Sequence, residues 1–318
     1  MPKKSNKRIS VVVVTFRVGN YLKRCLSSIQ EHSYPGLEII VIDNSLKQDS
    51  GETITRRYDG VQCYHGQPGL SYCEGLNIGI KIARGEFILC LNDDVILAQS
   101  FFVNALKGFA MDSRIGMVSG KILRFDKDTI DSAGLFLTPW RTAQERGYGL
   151  KDRGQFEKEG YVYGISGAVA FYRKKMLDEI KQGLEYFDRD YHYFYEDLDM
   201  AWRSQKRGWK GYYIPSAIAY HVRGASLRSV DGRDKPYARR YLKSDSLHVD
   251  LIKNRYLTII KNESIVDFLW HFPFILFYDF IQWGYIVLCK PQLVWVFLKN
   301  WSYVQAAFKK RKKIIKNT

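Results

Sequence analysis

Hydrophobic positions change period repeatedly along the first 220 or so residues. Ile9–Thr15 is a short β-branched run flanked by polar residues, the mark of a strand buried on both faces. Tyr21, Leu22, Cys25, Leu26 and Ile29 then recur at helical spacing. Leu37–Ile42 reads as a second buried strand ending in Asp43-Asn44-Ser45, and Val61–His65 as a weaker third. Leu76–Ala83 reads as a helix that stops before Gly85, and Phe87–Leu91 as a fourth strand ending in Asn92-Asp93-Asp94. Gln99–Met111 is again helical, and Gly116–Ser119 starts another strand. This alternation predicts an α/β fold: a Rossmann-like, mostly parallel, doubly wound sheet with helices on both faces. Ligands of such sheets bind beyond the carboxyl ends of the strands, where Thr15, Asp43 and the Asn92–Asp94 turn fall.

The pattern then weakens. Residues 124–160 are rich in charge and glycine without clear periodicity, and read as a mobile loop over the site. An apolar pattern resumes at Tyr161–Tyr172, Glu196–Arg207 reads as a helix, and Tyr212–His221 as extended chain. Residues 224–256 are polar and basic, whereas 264–298 are strongly apolar and aromatic. Lys309–Lys313 is a run of five basic residues, and no internal repeat is visible.

Composition bounds these elements. A chain of 318 residues, 46% apolar and 15% aromatic, can bury a full core, which excludes a disordered protein. The formal charge of +16 is uneven: residues 9–222 carry 27 basic and 26 acidic groups, so fifteen of the sixteen charges belong to the ends. A nearly neutral body disfavours nucleic-acid binding, which would need a basic stripe across the folded domain. Cysteines 25, 63, 73, 90 and 289 are odd in number and form no CxxC pair, against a disulfide scaffold or structural zinc site. The apolar run Ile9–Val14 behind Lys3, Lys4, Lys7 and Arg8 is too short for a secretory signal.

Four constellations carry candidate chemistry. Asn92-Asp93-Asp94 supplies hard oxygen ligands for Mg²⁺ or Mn²⁺, or is an ordinary polar turn. Glu196-Asp197-Leu198-Asp199 offers a general base, or simply acids that favour a helix start. His221 is either a third group at the metal or a satisfied rim histidine. Gly164–Ala168 marks a close backbone approach, to a substrate or to a neighbouring strand. Gly75–Gly79 lacks the GxGxxG spacing and no Walker lysine loop exists, which argues against hydride transfer and nucleotide hydrolysis.

The ordered set resembles the family 2 glycosyltransferases with the GT-A fold, in particular the rhamnosyltransferase and galactofuranosyltransferase-like branch of surface polysaccharide synthesis. The matching residues are Val11–Phe16, Val41–Ser45, Gly75–Gly79 with Asn77, and Leu91–Asp94. They continue with Ser166-Gly167-Ala168, Arg173-Lys174, Phe187-Asp188, Tyr195–Asp199 with Arg203 and Gly208, Tyr213–Ala217 and His221. The resemblance covers about residues 9–226, and Asn92 departs from the commoner aspartate.

What the resemblance implies is specific. Thr15, Phe16, Asp43 and Asn77, with Asn92 and Asp93, would line the pocket of a UDP- or dTDP-sugar donor. Asp94 and His221 would hold Mn²⁺ or Mg²⁺, and Asp197 would deprotonate the acceptor hydroxyl in one inverting displacement. Gly167, Ala168, Glu196, Asp199 and Trp202 would hold the acceptor, a glycan or lipid-linked glycan. A non-catalytic nucleotide-sugar or glycan-binding relative is the alternative. The expected organisation is a basic arm (1–8), a catalytic domain (9–226) and a C-terminal helical region (227–318). Phe272–Cys289 is barely long enough to span a bilayer and holds Asp279, Gln282 and Pro273. It therefore reads as helix lying in the interface, anchored by Trp270, Trp283, Trp295 and Trp301 and followed by the basic run, at the anionic cytoplasmic face of the cell membrane. A helical subdomain packed on the body is the other reading.

Overall fold

The computed structural model describes residues 8–32, 34–45, 50–67, 69–222 and 244–316. The N-terminal arm and the basic stretch 223–243, with the expected domain boundary near 226, lie outside these residues but for Arg8.

The elements run β1 (Ile9–Thr15), α1 (Asn20–Gln30), β2 (Leu37–Asp43), α2 (Ser50–Arg57), β3 (Val61–His65), α3 (Tyr72–Ile82), β4 (Phe87–Asn92), β5 (Val95–Leu97), α4 (Phe101–Met111) and β6 (Ile115–Arg124). They continue with β7 (Ile130–Ser132), β8 (Leu135–Leu137), β9 (Ala143–Glu145), β10 (Gly160–Val162), β11 (Val169–Arg173), α5 (Lys174–Ile180), α6 (Glu196–Lys206) and β12 (Lys210–His221). Four helices close the chain: α7 (Asp245–Asn262), α8 (Ile265–Cys289), α9 (Gln292–Lys299) and α10 (Trp301–Lys316).

The main sheet has the order β10-β12-β6-β11-β4-β1-β2-β3, with β5 beside β12 and β7 beside β6. Strands β3, β2, β1 and β4 are parallel, as the alternating pattern predicts. Beyond them β11 enters antiparallel between β4 and β6, so the sheet as a whole is mixed. The period of two divides β1 between two cores: Val11 and Val13 pack with α1 and α4, and Val12 and Val14 with α3 and α6. The glycines of α3 permit its close approach, since a Cβ on Gly79 would lie 2.3 Å from Val12 Cγ1 and one on Gly75 2.7 Å from Val14 Cγ1.

Residues 124–160 are not the loop that the sequence predicts. They fold into β7, β8 and β9, and Ile130, Asp131, Ser132 and Ala133 are fully buried. Three-residue strands are too short to show a hydrophobic period.

Helices α7 and α10 pack against α6 and the loop that carries Asp188 and Asp190. Lys261 of α7, 1% exposed, bonds Asp188 Oδ2 at 2.7 Å and pairs with Asp199 Oδ1 at 2.9 Å. Arg203 pairs with Asp199 Oδ2 at 2.9 Å, and Asn262 donates to Asp199 Oδ1 at 2.7 Å. Lys310 of α10 reaches Asp188 and Asp190, and Arg141 pairs with Glu263. Helix α8 is long and apolar enough to cross a membrane by length and composition, and 11% of its most apolar stretch is buried. Its Asp279 is paired with Arg255 of α7 at 2.5 Å.

Candidate active site

Strand register builds the first corner of the site. β4 ends at Asn92, the chain turns through Asp93 and Asp94, and β5 leaves antiparallel to β12 with Val95 opposite His221. That pairing brings His221 Nε2 to 3.2 Å from Asp94 Oδ1. The other ring nitrogen, Nδ1, lies 2.8 Å from Asp131 Oδ2, itself fully buried on β7. A carboxylate behind a histidine fixes which nitrogen faces forward. Burial opposes charge on His221, but the hydrogen bonds and charges of Asp131 and Asp94 outweigh it and raise its pKa to about 9. Thr15 Oγ1 donates to Asp93 Oδ2 at 2.6 Å. Burial pushes the Asp93 carboxyl up to about 6 against that bond, with the neighbouring Asp94 adding to the rise.

Asp94 and His221 suit a divalent cation. One oxygen from the β4–β5 turn and one nitrogen from β12 converge, and the histidine is oriented from behind. Among the described residues no group of three or more His, Cys, Asp or Glu is arranged to hold a metal. An ion here would complete its shell from a diphosphate and water, the usual habit of Mg²⁺. Asp131→Asn is expected to weaken Mn²⁺ binding by about 10–100-fold, read by calorimetry on the metal alone.

The second corner is the start of α6. Phe194 and Tyr195 both adopt left-handed backbone, with φ of 68° and 70°. Such conformations cost about 1–3 kcal/mol per residue and persist only where the surroundings enforce them. Here Asn254 of α7, fully buried, donates to the carbonyls of Tyr193 and Phe194 at 2.7 and 3.0 Å. The turn delivers Glu196 and Asp197 to the helix's first turn. Asp197 Oδ2 accepts from the Gly167 N–H at 3.1 Å, and Oδ1 from Leu198 N–H at 2.7 Å. A Cβ on Gly167 would lie 2.8 Å from Glu196 Oε1, so the turn before β11 passes close to both acids. Glu196 is raised well above the usual carboxylate range by burial and by the charge of Asp197. Its Oε2 is buried and has no hydrogen-bond partner among the described residues.

Both corners open onto one cleft of about 1170 Å³. Of the residues singled out in the sequence, Phe16, Asn92, Asp93, Asp94, Gly167, Ala168, Glu196, Asp197 and His221 line it, and Thr15 touches it through Asp93. Asn92 is positioned by the Tyr72 hydroxyl, which donates to its Oδ1 at 2.8 Å. Asp43 is the register partner of Thr15 at the same sheet edge, outside the cleft lining.

Three expected contacts are corrected. The Asn77 amide is spent on the Phe187 carbonyl and the Tyr186 and Phe187 N–H groups, at 2.7 to 2.9 Å, so it staples a loop rather than facing the donor. Asp199 is 1% exposed within the Lys261–Arg203–Asn262 network, and Trp202 is 7% exposed beneath Arg141, so neither can hold the acceptor. The helical period explains both: Asp199 and Trp202 point into the body while Asp197 points out of it.

The sequence reading missed Asp131, Tyr72 and Asn254. It also missed the far wall of the cleft, built by Leu251 and Ile252 of α7 and Tyr278 and Ile281 of α8.

Comparison with known proteins bears on this arrangement. A family profile described as Glycosyltransferase like family 2 matches residues 6–241. The poly-beta-1,6-N-acetyl-D-glucosamine synthase of Staphylococcus aureus is 23% identical over 281 residues, 85% of this chain and 64% of that protein. The chain spans 40% and 64% of the length of curated relatives it matches. GalNAc-T7 solved with UDP, GalNAc and Mn²⁺ superposes with a TM-score of 0.60 at 16% identity, over 81% of this chain and 48% of that one. The mannosyltransferase PcManGT of Pyrobaculum calidifontis, with GDP-Man and Mn²⁺, gives 0.55 at 14% identity over 98% of this chain and 86% of that one.

Proposed function

The chain belongs to glycosyltransferase-like family 2 and has the GT-A fold, and from that premise we propose that it moves a sugar from a nucleotide-sugar donor to an acceptor hydroxyl, with inversion, in surface polysaccharide synthesis. The observation that carries this reading is the convergence on one cleft of the Asp94–His221 pair and of Asp197. Relatives named as polysaccharide synthases and fold neighbours held with UDP or GDP-Man support it.

The roles follow from position. Asp94 and His221 would hold Mn²⁺ or Mg²⁺, which supplies charge compensation for the departing diphosphate. Phe16, Asn92 and Asp93 form the donor side of the cleft, beside Thr15. Asp197, held by the Gly167 N–H, accepts the proton of the acceptor hydroxyl. Burial and the charge of Asp197 push the Glu196 carboxyl well above the usual carboxylate range, which favours the proton of the pair on Glu196. We assign α7 to the same functional unit as residues 9–226, since Asn254 and Lys261 brace the α6 start.

A thermal-shift screen of UDP, dTDP and GDP with and without Mn²⁺ tests the reading. A nucleotide at about 100 times its Kd stabilises the fold by about 2.7 kcal/mol, and the melting temperature should rise only when metal is present. No shift with any nucleotide would overturn the proposal. Binding without donor turnover would favour the non-catalytic alternative.

The protein also sits on a membrane in this reading, at the cytoplasmic face. Trp270, Phe277, Phe280 and Leu288 of α8, and Trp295 beyond it, are 68 to 83% exposed, and the basic end of α10 follows. Aromatic anchors beside basic residues suit an anionic lipid interface. The full chain should float with anionic vesicles and resist release by high salt alone. Salt release without detergent would reduce the contact to electrostatics.

A further inference from the structure

The basic run of α10 does not present a single face. Trp301, Gln305, Phe308, Lys309 and Lys312 are exposed. Tyr303, Ala307 and Lys310 recur at i, i+4 and i+7 on the other side of the helix. Ala307 is buried in the core that also holds Tyr195 and Leu198. Lys310 reaches Asp188, and it donates to Asp190 Oδ2 at 2.7 Å. Arg311 donates to the carbonyls of Ile260 and Glu263 at 2.7 and 2.6 Å, a favourable place for a cation at the end of α7. Two cations of the run are therefore spent on the protein itself, while Lys309 and Lys312 are left for an outside partner.

What the inner face holds is the loop between α5 and α6. Asn77 staples its middle, and from Asp188 onward α7 and α10 fasten it. Lys253 donates to the Asp190 carbonyl at 3.0 Å and lies 4.5 Å from the Tyr303 ring of α10. The Tyr191 hydroxyl is 2.8 Å from Thr258 Oγ1, and Asn254 holds the next two carbonyls along. The loop ends in the left-handed pair Phe194–Tyr195, and Asp197 follows two residues later. The Lys310 side chain is 23% exposed and its two carboxylates 3% and 17%, so this is not a solvated surface pair of negligible worth.

We propose that α10 is a strap across the catalytic side, with Lys310 a positioning residue for Asp197. It acts through Asp188 and Asp190 on the loop that feeds α6, and the outward Lys309 and Lys312 meet anionic lipid. The basic end of the chain thus has two roles, divided by helix face. This rests on the glycosyl-transfer reading above and adds to it a residue more than a hundred positions from the base.

The test compares variants of the full-length protein by hydrogen exchange, vesicle flotation and turnover. In Lys310→Met the amides of residues 188–197, and that of Gly167, which donates to Asp197 Oδ2, should exchange about tenfold faster. Strands β1 and β4 should keep their protection, and flotation with anionic vesicles should be unchanged. Turnover is read as diphosphate release from UDP-GlcNAc, dTDP-glucose or GDP-mannose, chosen by which nucleotide gives the Mn²⁺-dependent shift. Its kcat should fall about 10²-fold with KM little altered, the effect of a misplaced base. Lys310→Arg, which can still bridge two carboxylates, should restore both exchange and kcat. Asp190→Asn cuts the same contact from the loop side and should shift exchange in the same direction. Lys309→Met with Lys312→Met should do the reverse, lowering flotation and leaving loop exchange as it was. Loss of flotation without faster loop exchange in Lys310→Met would make the lysine a lipid contact and overturn the proposal. Exchange raised evenly through β1 and β4, or no recovery in Lys310→Arg, would overturn it as well. Absence of any nucleotide shift in the unaltered protein instead defeats the transfer reading, and the exchange pattern still decides whether Lys310 fastens the loop.

Discussion

Asp197→Asn is expected to lower kcat by about 10²–10⁴-fold, the usual worth of a positioned general base, with nucleotide affinity and melting temperature close to those of the unaltered protein. The substitution isolates proton transfer because asparagine keeps the shape. Its amide oxygen can still accept from the Gly167 N–H now bonded to Asp197 Oδ2 at 3.1 Å, at the cost of the single bond from Leu198 N–H to Oδ1. The strained Phe194–Tyr195 turn is untouched, because Asn254 holds it through backbone carbonyls and not through Asp197. The donor side, which we assign to Phe16, Asn92 and Asp93 of the same cleft, should bind UDP or dTDP as before. Steady-state turnover together with calorimetric nucleotide binding checks both halves. Near-normal kcat would remove Asp197 from the role. Lost nucleotide binding would show that the aspartate shapes the donor site instead.

The contrast with Glu196 sharpens the assignment. Two carboxyls side by side in a partly dry site cannot both carry charge at low cost. Burial and the neighbouring charge hold Glu196 protonated to unusually high pH, and the Gly167 N–H gives the stabilising contact to Asp197. One environment thus separates an acid that keeps its proton from a carboxylate that can take one.

Much of this site could be read from the sequence because the parallel half of the sheet obeys a simple rule. β1, β2 and β4 are largely apolar runs, and the polar ends of β1 and β4 reach the cleft. Hence Thr15, Asn92, Asp93 and Asp94 were found from local pattern, and their meeting with His221 and Asp197 follows only through the fold. Asp131 escaped because its strand, Ile130–Ser132, has three residues, too few for any period. α7 escaped for a different reason. Its interior is polar: His248, Lys253, Asn254, Arg255, Thr258, Lys261 and Asn262 are all buried. A helix whose core face is made of charged and amide groups leaves no hydrophobic stripe, and hydropathy therefore reads most of it only as part of the polar, basic stretch 224–256. The same polarity misplaced Asp199, whose carboxylate is matched by Lys261 and Arg203 from inside and not by a substrate.

Lys261→Met is expected to destabilise the fold by about 3–5 kcal/mol at neutral pH, the cost of leaving buried carboxylates without their cation. Lys261 is packed over the Tyr191 ring at 4.3 Å and touches both Asp188 and Asp199, which are 5% and 1% exposed. Burial opposes charge on each of these acids, yet the Lys261 charge outweighs it, with Lys310 also acting on Asp188 and Arg203 on Asp199, and both are held below the ordinary carboxylate pKa. Depressed acids contribute stability that is present above their unfolded pKa of about 4 and is lost as pH falls through the folded value. Without Lys261 the desolvation that now opposes ionisation has less to offset it, and both carboxyls should titrate at higher pH. The deficit of the variant is therefore largest at neutral pH and shrinks as pH falls toward 4, where protonation relieves the unpaired charge. Urea unfolding at pH 7 and pH 5 measures the difference directly. A deficit that stays constant or grows on acidification would mean that Lys261 acts through packing on Tyr191 and not through the two aspartates. Since Asp199 lies two residues from Asp197 on α6, the same variant should also lose turnover at temperatures where it is still folded. The charge lattice under α6 would then be what holds the base at the cleft.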